Sequence, residues 1–204
     1  GANALSVAEY VIASAMLLLR GAYQSTPAVA AGQWPRNALS NGRETAGKTL
    51  GLIGFGSIGQ LSARLAQALG MSVIAYDAMM DADHPAFATS GVRAAGLDEV
   101  IATSDVVSLH VPLVDSTRDL FNAARIASMK KGAVLINTAR GGIVDEGALA
   151  AALRSGHLGG AAIDVFGKEP LPASEHFKDC PNLLLTPHIA GVSAESNERV
   201  SFLI

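Results

Sequence analysis

The segment NGRETAGKTLGLIGFGSIGQ, residues 41–60, holds two glycine patterns that could each cradle phosphate. Gly42 to Thr49 spells G-x-x-x-x-G-K-T, a loop whose amides and lysine hold a nucleoside triphosphate. Gly54 to Gly59 spells G-x-G-x-x-G, the dinucleotide fingerprint. A phosphate loop leaves a strand and enters a helix, because the helix start supplies the amides. Gly42 follows Trp34-Pro35-Arg36-Asn37-Ala38-Leu39-Ser40-Asn41, which is no buried strand, and Thr49 precedes a strand-like run. That order is inverted, so Lys48 and Thr49 lead into a strand and Lys48 is expected to touch no phosphate. The second pattern has the right order. Gly54 permits the tight turn, Gly56 lets a pyrophosphate approach the backbone, and Gly59 allows close helix–strand packing. Asp77 follows at about the ~20-residue separation of the fingerprint's acidic residue. A carboxylate there accepts from ribose hydroxyls and repels a 2′-phosphate. Ala78, Met79 and Met80 come next, with no arginine among them, so NAD is favoured over NADP.

Such a turn needs a strand before it and a helix after it, and the chain repeats that alternation. Short apolar runs stand at 49–54, 72–76, 106–111, 133–137, 161–165 and 183–186. Several are β-branched and few alternate with polar residues, as in strands covered on both faces. Helical patterns fall at 58–69, 97–103, 123–129 and 145–155, with Gly70 and Gly156 as stops, and a last one at 194–204. The alternation predicts an α/β domain with a doubly wound parallel sheet and helices on both faces. Its 204 residues are 50% hydrophobic and 16% charged, enough for one sizeable core.

The net charge of −3 gives no polycationic footprint, so no nucleic-acid partner is expected. Cys180 is the only cysteine, which excludes an internal disulfide and metal sites built on several cysteines, and fits a reducing cytoplasm. The apolar run 11–19 is too short to span a bilayer and no basic segment precedes it, so no membrane partner is expected. Ser6-Val7-Ala8-Glu9 reads as a capping box opening a helix. That helix is apolar nearly all round and should be buried, under the domain or against another subunit. Residues 21–46 read as a connecting segment broken by Pro27, Trp34-Pro35 and Asn41-Gly42, with Trp34 pinning it down. The start at Gly1, directly before a helix, reads as a piece of a longer protein.

Polar groups able to hold an anion or move a proton gather after the later apolar runs. They are Asn137-Thr138-Ala139-Arg140-Gly141-Gly142, Asp164-Val165-Phe166 with Glu169-Pro170, and Thr186-Pro187-His188-Ile189-Ala190-Gly191. Ligands of open α/β sheets bind at such strand carboxyl ends. Singly each residue has a bland explanation: a surface ion pair for Arg140, a solvated turn for Glu169, a cap for Asp164 or His188. Together with Leu109-His110-Val111-Pro112-Leu113, the segments closely resemble the D-isomer-specific 2-hydroxyacid dehydrogenases, with the phosphoglycerate dehydrogenase-like branch nearest. The resemblance runs from the first helix to the end of the chain and implies a Rossmann-type fold.

It also implies an NAD cofactor and a hydride passed between nicotinamide and C2 of a small D-2-hydroxy acid or 2-keto acid. Arg140, Glu169 and His188 become the catalytic set. Histidine suits exchange of the hydroxyl proton near neutral pH. Glu169 would fix its tautomer, and the planar fork of Arg140 would hold the substrate carboxylate, polarise the carbonyl, or both. The resemblance places Gly54, Gly56, Ser57, Ile58 and Gly59 at the pyrophosphate and Asp77 at the adenosine ribose. Val111 and Pro112 line the adenosine side, and Thr138, Ala139 and Arg140 the nicotinamide ribose. Asp164 meets the carboxamide, and His188 to Gly191 close that end. No metal is required. His110 is a near-site or a structural residue, while His84, His157 and His176 read as surface residues.

By the same resemblance, 1–22 is a crossover helix, 23–46 a connection, 47–191 the NAD-binding domain and 192–204 the start of a return to a largely absent substrate domain. Such a piece should bind NAD(H) yet turn over substrate poorly, and the protein should form a homodimer. The alternative is an NAD(H)-sensing module of the corepressor type, which needs the cofactor pocket but not Arg140, Glu169 and His188.

Overall fold

The structure, a computed structural model, describes residues 1–173 and 175–201. Strands β1 (Thr49–Ile53), β2 (Ser72–Tyr76), β3 (Arg93–Ala94), β4 (Val106–Leu109), β5 (Val134–Asn137), β6 (Gly160–Ile163) and β7 (Leu183–Leu185) form one parallel sheet. Their order is β3-β2-β1-β4-β5-β6-β7, so the chain reverses its direction of travel between β1 and β4. This is the doubly wound, Rossmann-type arrangement, and the glycine turn after β1 lies at its switch point.

The helices are α1 (Ala4–Arg20), α2 (Thr26–Ala30), α3 (Ser57–Ala68), α4 (Pro85–Ser90), α5 (Leu97–Thr103), α6 (Ala123–Ser128), α7 (Glu146–Arg154) and α8 (Ala194–Ser201). They cover both faces, which is why the strands carry apolar residues at odd and even positions alike. Ile53, Val107, Leu109 and Leu135 pack with Ile101 of α5, Ile126 of α6 and Leu149 of α7. Leu50, Leu52, Val106 and Ile136 pack instead with Val11 and Leu18 of α1 and Ala63 of α3. Each fully buried side chain of this size contributes about 1.5–3 kcal/mol. The double core therefore fixes the register of every strand end.

The amino edge of the sheet settles the first glycine pattern. Several of its amides are already paired: Arg43 N–H donates to Leu19 O (2.9 Å), Gly47 N–H to Gly70 O (2.9 Å) and Lys48 N–H to Thr45 O (3.0 Å). A Cβ on Gly42 would stand 2.4 Å from the Arg20 carbonyl oxygen, so this glycine serves packing against the end of α1. The segment lies before β1, not after it.

Several local expectations need correction. The first helix starts at Ala4, and no side chain caps it. Ser6 sits inside it, with its hydroxyl bonded to Ser193 Oγ at 2.9 Å, a long-range partner that outcompetes the capping box. The domain buries one face of α1 and leaves Leu5, Glu9, Ala13, Met16 and Arg20 as an exposed stripe, so it covers the helix only in part. Trp34 does not pin the connection, for it is 78% exposed. That connection also contains a 3-10 turn, Ala22–Ser25, and the short α2. Edge strand β3 and helix α4 were not anticipated. β3 is two residues long, too short for an apolar run. α4 begins at Pro85, with His84 capping it by accepting from Ala86 N–H (3.2 Å), so His84 has a structural task. His157 is likewise engaged, at 3.1 Å from Ile126 O. Of the final stretch, α8 covers 194–201, and 202–204 lie outside the described residues.

Candidate active site at the carboxyl edge of the sheet

The turn after β1 is built around two close approaches. Gly54 has φ +96, and a Cβ there would stand 2.3 Å from His110 O. A Cβ on Gly59 would stand 2.6 Å from Gly54 O, so the first turn of α3 lies directly on the loop. Gly56 has no atom within 4 Å of where its Cβ would be, leaving open space beside the start of α3. No side chain caps α3, so its first amides, among them Ser57 and Ile58, stay free for an anion. Asp77 ends β2 and closes the turn from the other side. Its Oδ2 accepts from Phe55 N–H at 2.7 Å and its Oδ1 from Met79 N–H at 2.8 Å. Each oxygen keeps acceptor capacity for a further donor. A cavity of about 480 Å³ opens beside Asp77, walled by Tyr76, Ala78, Met80, Ala95 and Gly96.

The other half of the edge carries the acid–base groups. His188 Nδ1 lies 2.7 Å from Glu169 Oε2. The other carboxylate oxygen, Glu169 Oε1, accepts from Phe166 N–H at 2.9 Å, which orients the pair. The bond to His188 holds the Glu169 carboxyl below its ordinary range, helped by the Phe166 amide and least by the Arg140 charge, while burial opposes the shift. Arg140 leaves β5 through Asn137, whose side chain bonds both Ala139 N–H and Arg140 O at 3.0 Å. Gly141 then touches Phe166: a Cβ would stand 1.7 Å from its carbonyl oxygen. The loops bearing Arg140, Glu169 and His188 are thus packed on one another. A cavity of about 620 Å³ lies against the Glu169 and His188 loops, lined by Phe166, Glu169, Leu171, Leu185, Pro187 and His188.

Asp164, 1% exposed, organises the last loop. Its Oδ1 accepts from Thr186 Oγ1 (2.6 Å) and Ile189 N–H (2.8 Å), its Oδ2 from Ala190 N–H (2.9 Å). Its backbone oxygen takes His188 N–H at 2.8 Å. These bonds hold His188 at φ +54, a left-handed conformation that non-glycine residues rarely adopt. Thr138 Oγ1, after β5, is buried and has no hydrogen-bond partner among the described residues. A buried hydroxyl without a partner is costly, and a ligand group in the cleft would satisfy it. Free amides at one end, Asp77 beyond them and the unpartnered Thr138 hydroxyl at the other suit a dinucleotide laid along the strand ends. Another cavity, about 470 Å³, lies at the opposite edge between Arg20, Pro35, Arg43 and Asn182, remote from these groups.

Residues 12–190 match the family described as D-isomer specific 2-hydroxyacid dehydrogenase, NAD binding domain. The chain belongs to that family. Among curated relatives, it is 55% identical to the (S)-sulfolactate dehydrogenase of Chromohalobacter salexigens, over 100% of this chain and 65% of the relative. It is 45% identical to the D-3-phosphoglycerate dehydrogenase of Haemophilus influenzae, over 98% of this chain and 48% of the relative. The NAD-dependent formate dehydrogenase from Staphylococcus aureus, solved with NAD, superposes with TM-score 0.88 at 33% identity, over 99% of this chain and 60% of that one. The chain therefore spans about half to two thirds of the length of these relatives.

Two polar residues at the site carry no sign of it in the sequence. Tyr10, on α1, hydrogen-bonds Thr186 Oγ1. Glu146, in the first turn of α7, accepts from Gly167 N–H at 2.9 Å and braces the Glu169 loop. Neither carries a local signature. His110, read as either a near-site or a structural residue, bonds Ser108 Oγ through its ring at 2.9 Å beneath the Gly54 turn. Burial lowers its pKa from 6.5 to about 4, so the ring is neutral.

Proposed function

We propose that the whole protein passes a hydride between NAD and C2 of a small D-2-hydroxy acid, with the corresponding 2-keto acid as the other partner. The observation that carries this reading is the 2.7 Å bond between His188 Nδ1 and Glu169 Oε2. Glu169 accepts, so Nδ1 holds a proton, and in the neutral ring Nε2 is then the nitrogen with a free lone pair. That nitrogen takes the hydroxyl proton as the alcohol is oxidised and returns it in reduction. Arg140 binds the substrate carboxylate or polarises the carbonyl through its planar fork. When bound, NAD supplies the hydride acceptor. Ser57 and Ile58 offer amides to its pyrophosphate, and Gly54, Gly56 and Gly59 give it room. Asp77 holds the adenosine ribose, and Val111 and Pro112 line the adenosine. Thr138 and Ala139 hold the nicotinamide ribose, and Asp164 takes the carboxamide with its remaining lone pair. His188 to Gly191 close the nicotinamide end.

In this reading 47–191 is the NAD-binding domain, reached through 1–22 and 23–46, and 192–204 begins the return to a second domain. That domain supplies the substrate wall, so the 204 residues alone bind NAD(H) and turn over poorly. The protein is a homodimer: Leu5, Met16, Tyr23, Val29 and Trp34 are all exposed on the first 34 residues, an apolar surface a second copy would cover. A sedimentation mass of one subunit for the full-length protein would contradict this. A cytoplasmic setting suits the free Cys180. Neither nucleic acid nor membrane is a proposed partner. Among the described residues no single helix is long and apolar enough to cross a membrane. The experiment for the central reading is a panel of 2-hydroxy and 2-keto acids on the full-length protein, followed by NADH absorbance. Turnover that His188→Ala abolishes while NADH still binds supports it, and NADH binding without turnover of any acid favours the sensing module.

A further inference from the structure

We propose that Tyr10 is a positioning residue for the reaction, fixing the turn that presents His188 through Thr186 and Asp164. The inference rests on the reading of His188 as the proton carrier. Tyr10 stands on α1, and its hydroxyl reaches Thr186 Oγ1 at 2.5 Å, across 176 residues of chain. The direction of that bond is set by the next one. Both Asp164 oxygens already accept backbone amides, from Ile189 and Ala190, and the Thr186 hydroxyl gives its proton to Asp164 Oδ1 at 2.6 Å. Tyr10 must therefore donate to Thr186. The result is a polarised relay, Tyr10 to Thr186 to Asp164, in which each bond strengthens the next.

The relay ends where His188 is held. Asp164 also binds the amides of Ile189 and Ala190, and its carbonyl binds that of His188. Four bonds thus converge on one buried residue to impose φ +54 on His188, a strained conformation that survives only when its surroundings over-determine it. Tyr10 contributes the outermost constraint, and it comes from a different element. The start of α1 is tied to the same region at two more points, Ser6 Oγ to Ser193 Oγ (2.9 Å) and Arg199 Nε to Ala2 O (2.7 Å). Those two bonds hold the chain just after the turn, and Tyr10 is the α1 residue that reaches the turn itself through Thr186. Burial raises the Tyr10 pKa despite the Thr186 bond, so the phenol stays a donor throughout the neutral range.

Tyr10→Phe in the full-length protein tests this, because it keeps the ring and deletes only the donor. The expected result is a fall in kcat of roughly tenfold, the worth of one hydrogen bond, with KM for NADH unchanged within about twofold. The ring 15N shifts of His188 should move from one Nδ1–H tautomer to a mixture. Thr186→Ser, which preserves the relay, should retain the wild-type tautomer and kcat, whereas Thr186→Val should reproduce Tyr10→Phe. A purely structural tyrosine would lower the melting temperature and leave kcat and tautomer untouched; that outcome overturns the proposal. His188→Ala serves as the control: full turnover in that variant would overturn the reading of His188 itself, independently of Tyr10.

Discussion

His110 makes the acid stability of the domain calculable. Its ring lies beneath the Gly54 turn, bonded to Ser108, and burial lowers its pKa from 6.5 to about 4. Above pH 6.5 the residue is neutral in both folded and unfolded chains and adds no pH dependence. As pH falls below 6.5 the unfolded chain binds a proton that the folded domain refuses, so stability declines until pH passes about 4. A shift of ~2.5 units at ~1.36 kcal/mol each gives a ceiling of ~3 kcal/mol, of which ~2 kcal/mol is already lost at pH 5. Part of the His110 surface still meets solvent, so these figures are upper bounds. Urea unfolding at pH 8 and pH 5 measures the loss, and comparison with His110→Gln isolates it from the carboxylates, which both proteins share. The wild type should lose up to ~2 kcal/mol more than the variant over that interval. Identical losses in the two proteins, or a His110 ring that titrates near 6.5 by NMR, would refute the reasoning.

Two further predictions concern the cofactor turn. Gly59→Ala places a methyl 2.6 Å from Gly54 O, a backbone atom that cannot swing away, so α3 must back off. NADH affinity, followed by fluorescence, should fall by about tenfold or more, with ~1–3 kcal/mol lost in stability. Unchanged affinity would show that the turn does not hold the pyrophosphate. Asp77→Asn keeps an acceptor for Phe55 N–H but removes the charge, so NADH should bind more weakly and the preference over NADPH should narrow. Calorimetric titration with both nucleotides reads this directly, and an unaltered ratio would remove Asp77 from the ribose site.

The elements that place the site were legible because each depends on neighbours in sequence. The runs at 72–76 and 97–103 coincide with β2 and α5 residue for residue, and the other strands except the two-residue β3 differ only at their ends. Burial on both faces leaves an unbroken apolar run, which composition alone reveals. Glycine spacing and the motifs around Arg140, Glu169 and His188 carry the site in the same local way. What stayed hidden depends on distant partners. Ser6 looked like a cap until Ser193 claimed its hydroxyl, and Tyr10 looked like one more helix residue until Thr186 lay beside it. Trp34 looked like an anchor because large aromatics are usually buried, but within one subunit nothing covers it. A hydrogen bond spanning more than a hundred residues leaves no pattern in a single sequence.

The most direct test of the whole account is a crystal structure of this chain with NADH. The pyrophosphate is expected on the amides of Ser57 and Ile58, the adenosine ribose on Asp77, and the nicotinamide between Thr138 and Asp164 with its reactive carbon facing His188 Nε2. A nicotinamide turned away from His188, or a nucleotide bound at Lys48 on the opposite edge of the sheet, would contradict it.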